Sequence, residues 1–326
     1  MVAPIGRRGF VVGTAALSAG LWPLRPGLAA ATMDFDEARH LLARTTFGAT
    51  PAEIRALEAQ DYVATVDRLL GNVRRDAVTA PPGWLHEGPA ELQRQVQVAR
   101  AEAAEAKGKT GVDGKPLQPE RPLQEQGREL RNWWIEEMLA TDQPLTERMV
   151  LFWHNHFTSS LMKVRFPPSL FRQNALFRRE ALGNFATLLK EVARDPAMLI
   201  YLDGMRSVAR QPNENFAREL LELFTLGEGH YGEPDIKAAA RAFTGWTVDR
   251  QTGHFKVRDN EHDGGEKTFL GQTGRFDGDA IIAILLKHPR TAETIVEKLW
   301  REFVSLKPDP VEVRKLAAGF RANYEI

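Results

Sequence analysis

Apolar positions recur with helical period along nearly the whole chain. From Asp36 the stretch DEARHLLARTTFG keeps that period and stops at Gly48. The next stretch, ATPAEIRALEAQDYVATVDRLLG, opens with Thr50 as an N-cap, Pro51 at the first helical position and Glu53 completing a capping box, and Gly71 ends it. Residues 72–90 hold few periodic positions, 91–106 read as a polar helix, and KGKTGVDGKPLQPERP at 107–122 reads as an exposed loop open to proteolytic nicking. RELRNWWIEEMLA and PLTERMVLFWHNHF are helical, the second started by Pro144. At least two more helices follow before Gly204, and NENFARELLELFTLG runs as one helix from an Asn213 cap to Gly227. EPDIKAAARAFTGWTV is a helix entering a turn at Gly245. Only 246–270 alternates like short strands around Gly and Asp turns, and helices return at 277–286, 292–304 and 310–322. The pattern predicts a mainly α protein: an irregular multi-helical single domain, 34–326, with a small β-hairpin insertion near 246–270.

The amino terminus departs from this pattern. MVAPIGRRGFVVGTAALSAGLWPLRPGLAAA has an arginine pair, an uncharged run from Gly9 to Leu24, and Ala29 and Ala31 in A-x-A spacing, which is the layout of a secretory signal over residues 1–31. Arg7, Arg8, Gly9 and Phe10 resemble the twin-arginine export motif, with Gly6 where Ser or Thr is usual and Val12 where Lys is common. The expected location is periplasmic or secreted, with the twin-arginine translocase as a transient partner and no stable membrane span after cleavage. Cysteine is absent, which removes disulfides, thiolate ligands and cysteine nucleophiles and leaves catalysis to His, carboxylates or hydroxyls. Lys plus Arg and Asp plus Glu number 43 each, so no global field draws the chain to nucleic acid.

Three stretches could carry chemistry. In FWHNHF, His154 and His156 stand one residue apart inside a helical pattern. At about 100° per residue their rings point roughly 200° apart, so at most one should face a given site unless the helix breaks at Asn155. In NENFARELLELF, Phe216, Leu220, Leu223 and Phe224 share a face, and Glu219 lies at its edge as a half-buried carboxylate. Such a group has a raised pKa or a partner, a cation or a metal, and Arg218 and Arg241 are available cations. Asn213 and Asn215 serve most simply as caps, and Arg218 is spaced for surface pairs with Glu214 and Glu222. In NEHDGGEKTFLG, His262, Asp263 and Lys267 sit in a Gly-rich loop of the kind that often carries binding residues. Each stretch has an ordinary structural reading beside the functional one: buried histidines at a helix junction, an Arg–Glu lock between helices, a turn.

Taken together, ARHLLARTTFGATPAEI, ERMVLFWHNHFTSS, PNENFARELLELFTLGEGHY, AARAFTGWTV and HDGGEKTFLGQTGRFDGDAIIAILL closely resemble the large bacterial family catalogued as domain of unknown function eighteen-hundred. The matching motif positions are His154, Asn155, His156, Asn213, Glu214, Asn215, Arg218, Glu219, His262, Asp263, Lys267 and Gly271. The resemblance implies export, often by the twin-arginine route, and a co-exported partner distantly similar to sulfatases and phosphatases. It implies no reaction. Residues 88–125 look longer and more charged than the family's usual connection, and family members usually read on past the position of Ile326, which raises the expectation of a truncated C-terminal end.

Two classes of function remain open on the sequence. In the first, the three stretches surround one pocket of a hydrolase acting on an envelope or extracellular polymer. Glu219, Asp263 and His262 would be catalytic, Asn155, Asn213, Arg218 and Lys267 would bind substrate, and His154, His156 and Glu219 would hold a divalent metal that lowers the pKa of bound water. A metal-free version pairs Glu219 with Asp263 across a glycosidic bond. In the second class, the same residues form a buried polar network in a non-catalytic binding or assembly protein.

Overall fold

A computed structural model describes residues 32–107 and 121–326; the signal expected at 1–31 and most of the loop expected at 107–122 lie outside the described residues. Helix α1 (Phe35–Thr45) and helix α2 (Pro51–Leu57) both start on reciprocal capping boxes, Asp34 with Glu37 and Thr50 with Glu53. The helix expected to run on to Gly71 is broken instead. Ala59 takes a left-handed conformation (φ 67°), its N–H donates to the Met33 carbonyl, and α3 (Tyr62–Gly71) restarts with Asp61 as its cap. Nothing in the residue pattern forces this kink; it is the strand-like contact of residues 32–33 with 60–61 that holds it. Met33, Ala38, Leu41 and Ile54 bury a small core of their own there.

Helices α4 (Pro89–Ala106) and α5 (Pro122–Ala140) lie against each other, and α6 (Pro144–His156), α7 (Leu161–Val164), α8 (Pro167–Arg179), α9 (Phe185–Ala193) and α10 (Pro196–Tyr201) follow with short connections. Five of these seven begin with a proline at the first turn, where the missing N–H costs no hydrogen bond. The main core gathers aromatic residues from α6, α8 and α9. Trp153, Phe157, Phe177 and Phe185 are fully buried, and the Trp153 indole donates to the Ala181 carbonyl at 3.0 Å.

After α10 come α11 (Glu214–Glu219), a π-helical turn at Leu220–Thr225, and α12 (Glu233–Ala242). The helix expected over 213–227 therefore widens halfway. Side chains bond carbonyls at the start and at the end of the π turn. Thr225 Oγ1 donates to Leu220 O at 2.6 Å, and Arg290 and Thr294 donate to Leu226 O at 3.1 Å each. Gly227 closes the turn with φ 81°.

Strands β1 (Trp246–Val248) and β2 (Phe255–Val257) pair antiparallel, as do β3 (Lys267–Phe269) and β4 (Gln272–Gly274), so the expected hairpin insertion is two small hairpins reaching slightly past 270. Helices α13 (Gly278–Lys287), α14 (Pro289–Phe303) and α15 (Pro310–Asn323) complete the mainly α fold. No described helix is long and apolar enough to cross a membrane.

A buried ion pair sets the orientation of α6. Glu147 and Arg178 are each about 1% exposed and meet in a two-pronged contact at 2.6 and 2.9 Å. The Trp134 indole donates to the same carboxylate at 3.0 Å, and the guanidinium lies over Trp133 at 5.3 Å. Removing one partner leaves the other charge buried and unpaired, which typically costs about 3–5 kcal/mol, whereas replacing both with apolar residues costs far less. Arg178→Met should accordingly lower the denaturant midpoint sharply, and Arg178→Met combined with Glu147→Leu should recover part of the loss; a double variant no better than the single would show the pair is not the source of the effect.

Candidate functional site

The two ends of the FWHNHF stretch look in different directions. His154 is half-buried against Phe177 and the edge of Trp134, with its Nδ1 lacking a partner. His156 faces the opposite way and sits among Phe152, Trp153, Phe157, Phe185 and Phe224. Both residues lie within α6, so the 100° step that the sequence predicted does separate them. Burial first, and then the nearby Lys298 charge, hold the His156 imidazole well below its usual pKa. Both effects favour the neutral ring, and a charged Lys298 donating from Nζ to Nδ1 at 3.0 Å assigns the ring proton to Nε2, a buried atom with no partner among the described residues.

Lys298 also donates to the Leu223 carbonyl of the π turn at 2.6 Å. It reaches both because Arg290, Thr294 and Lys298 follow one another at four-residue spacing along α14 and present one face to the widened turn. Burial, helped by Arg301, pushes its ammonium down to about 8.

These groups border a cleft of about 530 Å³ between α6, α7, α10, α11, the π turn and α14. Asn155 and His156 line it from the first motif, and Asn215 and Glu219 from the second. Asn215 Nδ2 donates to the Leu202 carbonyl at 3.1 Å, so the amide is fixed in place. Lys163, Tyr201 and Phe224 complete the wall, but the Lys163 charge is already matched by Asp203 at 2.8 Å. Glu219 is half-buried, as its place on the helix predicted. Its carboxyl is raised above the usual range by burial and by Glu222, against the opposing pull of Arg218, and among the described residues no side chain or backbone donor reaches it.

Asn213 and Arg218 do other work. Asn213 is the N-cap of α11, accepting from Asn215 N at 2.9 Å. Arg218 clasps Glu233 at 2.8 and 3.1 Å and touches Glu214 at 3.4 Å, while Glu222 takes the Tyr231 hydroxyl at 2.8 Å rather than Arg218.

The third motif does not reach the cleft. Asp263 receives Arg241 in a two-pronged contact at 2.6 and 3.1 Å and the Gly265 N–H at 2.9 Å. The Arg241 hydrogen bond leads the effects that hold its carboxyl down to about 2. The Lys267 ammonium is buried and capped by the carbonyls of Asp263 and Gly265, and His262 Nδ1 meets the Thr244 carbonyl at 3.0 Å. Gly245 makes this close approach possible, since a Cβ there would come within 2.7 Å of Arg258 O at φ 83°. The loop is a stitched structural unit.

The donors expected for a metal do not fit one. His154 and His156 face separate surroundings, the His156 Nδ1 is turned to an ammonium, and among the described residues no three of His, Asp and Glu converge. The paired-carboxylate version lacks its second acid, because Glu219 is the only carboxylate among the cleft's lining residues. Lys298 is the residue that sequence reasoning missed. No signal in the residue pattern marks it: it shares a helix face with Thr291 and Thr294, whose burial only the fold reveals.

Asp263→Asn should cost about 1.5–3 kcal/mol at neutral pH, the usual range for hydrogen bonds to a charged group. The depressed pKa means that this contribution is present above about pH 4 and is lost as pH falls toward about 2. Urea denaturation of both proteins at pH 7 and pH 2.5 checks it; an equal difference at both pH values contradicts the assignment.

A comparison with family models finds that residues 40–326 match a family described as "Protein of unknown function (DUF1800)". No curated protein and no solved structure matches the chain.

Proposed function

The chain belongs to the DUF1800 family, and from that premise we propose that the cleft between Asn155 and Lys298 binds a segment of an envelope or extracellular polymer and hydrolyses it, with Glu219 as the acid–base group. One observation carries this reading: Glu219 is the sole carboxylate among the cleft's lining residues, half-buried and without a donor among the described residues, with burial and the neighbouring Glu222 raising its pKa above the usual carboxylate value. Its proton acceptor role needs only a water held beside it, and the amides of Asn155 and Asn215 supply donors and acceptors that can orient a polar chain. The aromatic faces of Tyr201 and Phe224 suit the apolar side of such a ligand.

Export to the periplasm or beyond belongs to the same proposal and rests on the Arg7–Arg8 pattern, as does a co-exported sulfatase- or phosphatase-like partner on the family resemblance. A non-catalytic reading has one observation in its favour, the saturated Arg241–Asp263–Lys267 cluster, which needs no chemistry to explain it. The two separate on a single assay. Purified protein is incubated with bacterial cell-wall polymer and soluble fragments are measured. Hydrolysis by the wild type should fall by about 10²–10⁴-fold in Glu219→Gln, the usual contribution of a positioned acid–base group. Binding without fragment release by either protein would establish the non-catalytic reading instead.

A further inference from the structure

We propose that Lys298 is the anion receptor of this cleft, stabilising an oxyanion, and that the bond broken there is an acyl bond, an ester or amide, rather than a glycosidic one. The inference rests on the reading of the cleft as a hydrolytic site and names its substrate class.

The Lys298 ammonium stands on the wall of the cleft. Its two partners, His156 Nδ1 at 3.0 Å and the Leu223 carbonyl at 2.6 Å, are both uncharged. Among the described residues no carboxylate lies within 4 Å of it, whereas the cleft's other lysine has Asp203. A lysine ammonium has three donors, so two are spent and one is left over. A partly desolvated cation with a spare donor and no counter-charge is a place where a developing negative charge is favoured. Holding the lysine by neutral acceptors keeps that charge available, because a carboxylate partner would cancel it.

The charges across the cleft assign the roles. Glycosidic hydrolysis needs two carboxyl groups across the bond, and Glu219 stands alone in the lining. Acyl hydrolysis needs one base and one oxyanion donor, and the cleft holds one of each. Glu219 takes a proton from water as the water oxygen bonds to the carbonyl carbon. The carbonyl π pair moves to its oxygen, which faces the Lys298 N–H. Collapse of that oxyanion breaks the bond to the alcohol or amine, which leaves with the proton from Glu219. Water is consumed, an acid and an alcohol or amine are released, and no oxidant or further reactant is required.

The test uses the full-length protein and three probes: p-nitrophenyl acetate, p-nitrophenyl β-glucoside, and methylphosphonate as a stable tetrahedral anion. Wild type should release p-nitrophenol from the ester and not from the glucoside, and should bind methylphosphonate by calorimetry. Lys298→Met should lower kcat on the ester by about 10²–10³-fold with KM nearly unchanged, as removal of an oxyanion donor does, and should abolish methylphosphonate binding. Lys298→Arg, which keeps the charge, should retain part of both; it also serves if the methionine variant does not fold. Glu219→Gln should lower turnover by the same roughly 10²–10⁴-fold expected of an acid–base group, yet bind methylphosphonate at least as well, since a competing carboxylate is gone. Methylphosphonate that fails to bind the wild type, or binds Lys298→Met as tightly, overturns the assignment of Lys298. Turnover of the glucoside instead of the ester overturns the acyl bond while leaving the hydrolytic reading of the cleft standing.

Discussion

The contact of Lys298 with the His156 ring and the Leu223 carbonyl is the interaction on which the candidate site depends. It joins three elements distant in sequence: the end of α6, the π turn after α11, and the middle of α14. Were α11 to continue as a regular helix, the Leu223 carbonyl could accept from the Gly227 N–H, which the π turn gives to Leu221 O instead; Leu226 O, at the C-cap, lies beyond intrahelical pairing in either case. The widened turn leaves Leu223 O, and the helix end leaves Leu226 O, to side chains, and the four-residue stripe of Arg290, Thr294 and Lys298 meets them. π turns are rare and are frequently found at functional sites, and here the irregularity has a visible consequence, because it brings a lysine to the wall that holds Glu219.

The rigidity behind that contact comes from α6. The Glu147–Arg178 pair fixes its first turns against α5 and α8, and Trp153 and Phe157 lock its last turn into the aromatic core. His156 thus has little freedom to turn away from Lys298. Its neutrality follows from the same enclosure, since a charged imidazole among five aromatic rings and beside an ammonium would be unfavourable twice over.

Local features were the readable part of the sequence. The capping box at Thr50, the prolines Pro51 and Pro144 at helix starts and the opposed directions of His154 and His156 all follow from period and residue chemistry, and each is found. Glu219 as a half-buried carboxylate also follows from its place on the helix. What was hidden depends on contacts between distant segments: the break at Ala59, the π turn at Leu220, and Lys298, which looks like any lysine on an amphipathic helix. Motif proximity in a family does not imply a shared pocket either. His262, Asp263 and Lys267 share a loop that the fold holds together by its own hydrogen bonds, apart from the cleft that takes Asn155 and Glu219.

The central claim concerns the protonation state of one ring. Long-range ¹H–¹⁵N NMR of histidine-labelled protein, followed from pH 5 to pH 8, reads it directly. The account predicts that His156 stays neutral throughout, with its proton on Nε2 and an acceptor-type Nδ1 shift that changes in Lys298→Met. A His156 ring that becomes an imidazolium near pH 6.5, or carries its proton on Nδ1, would contradict it.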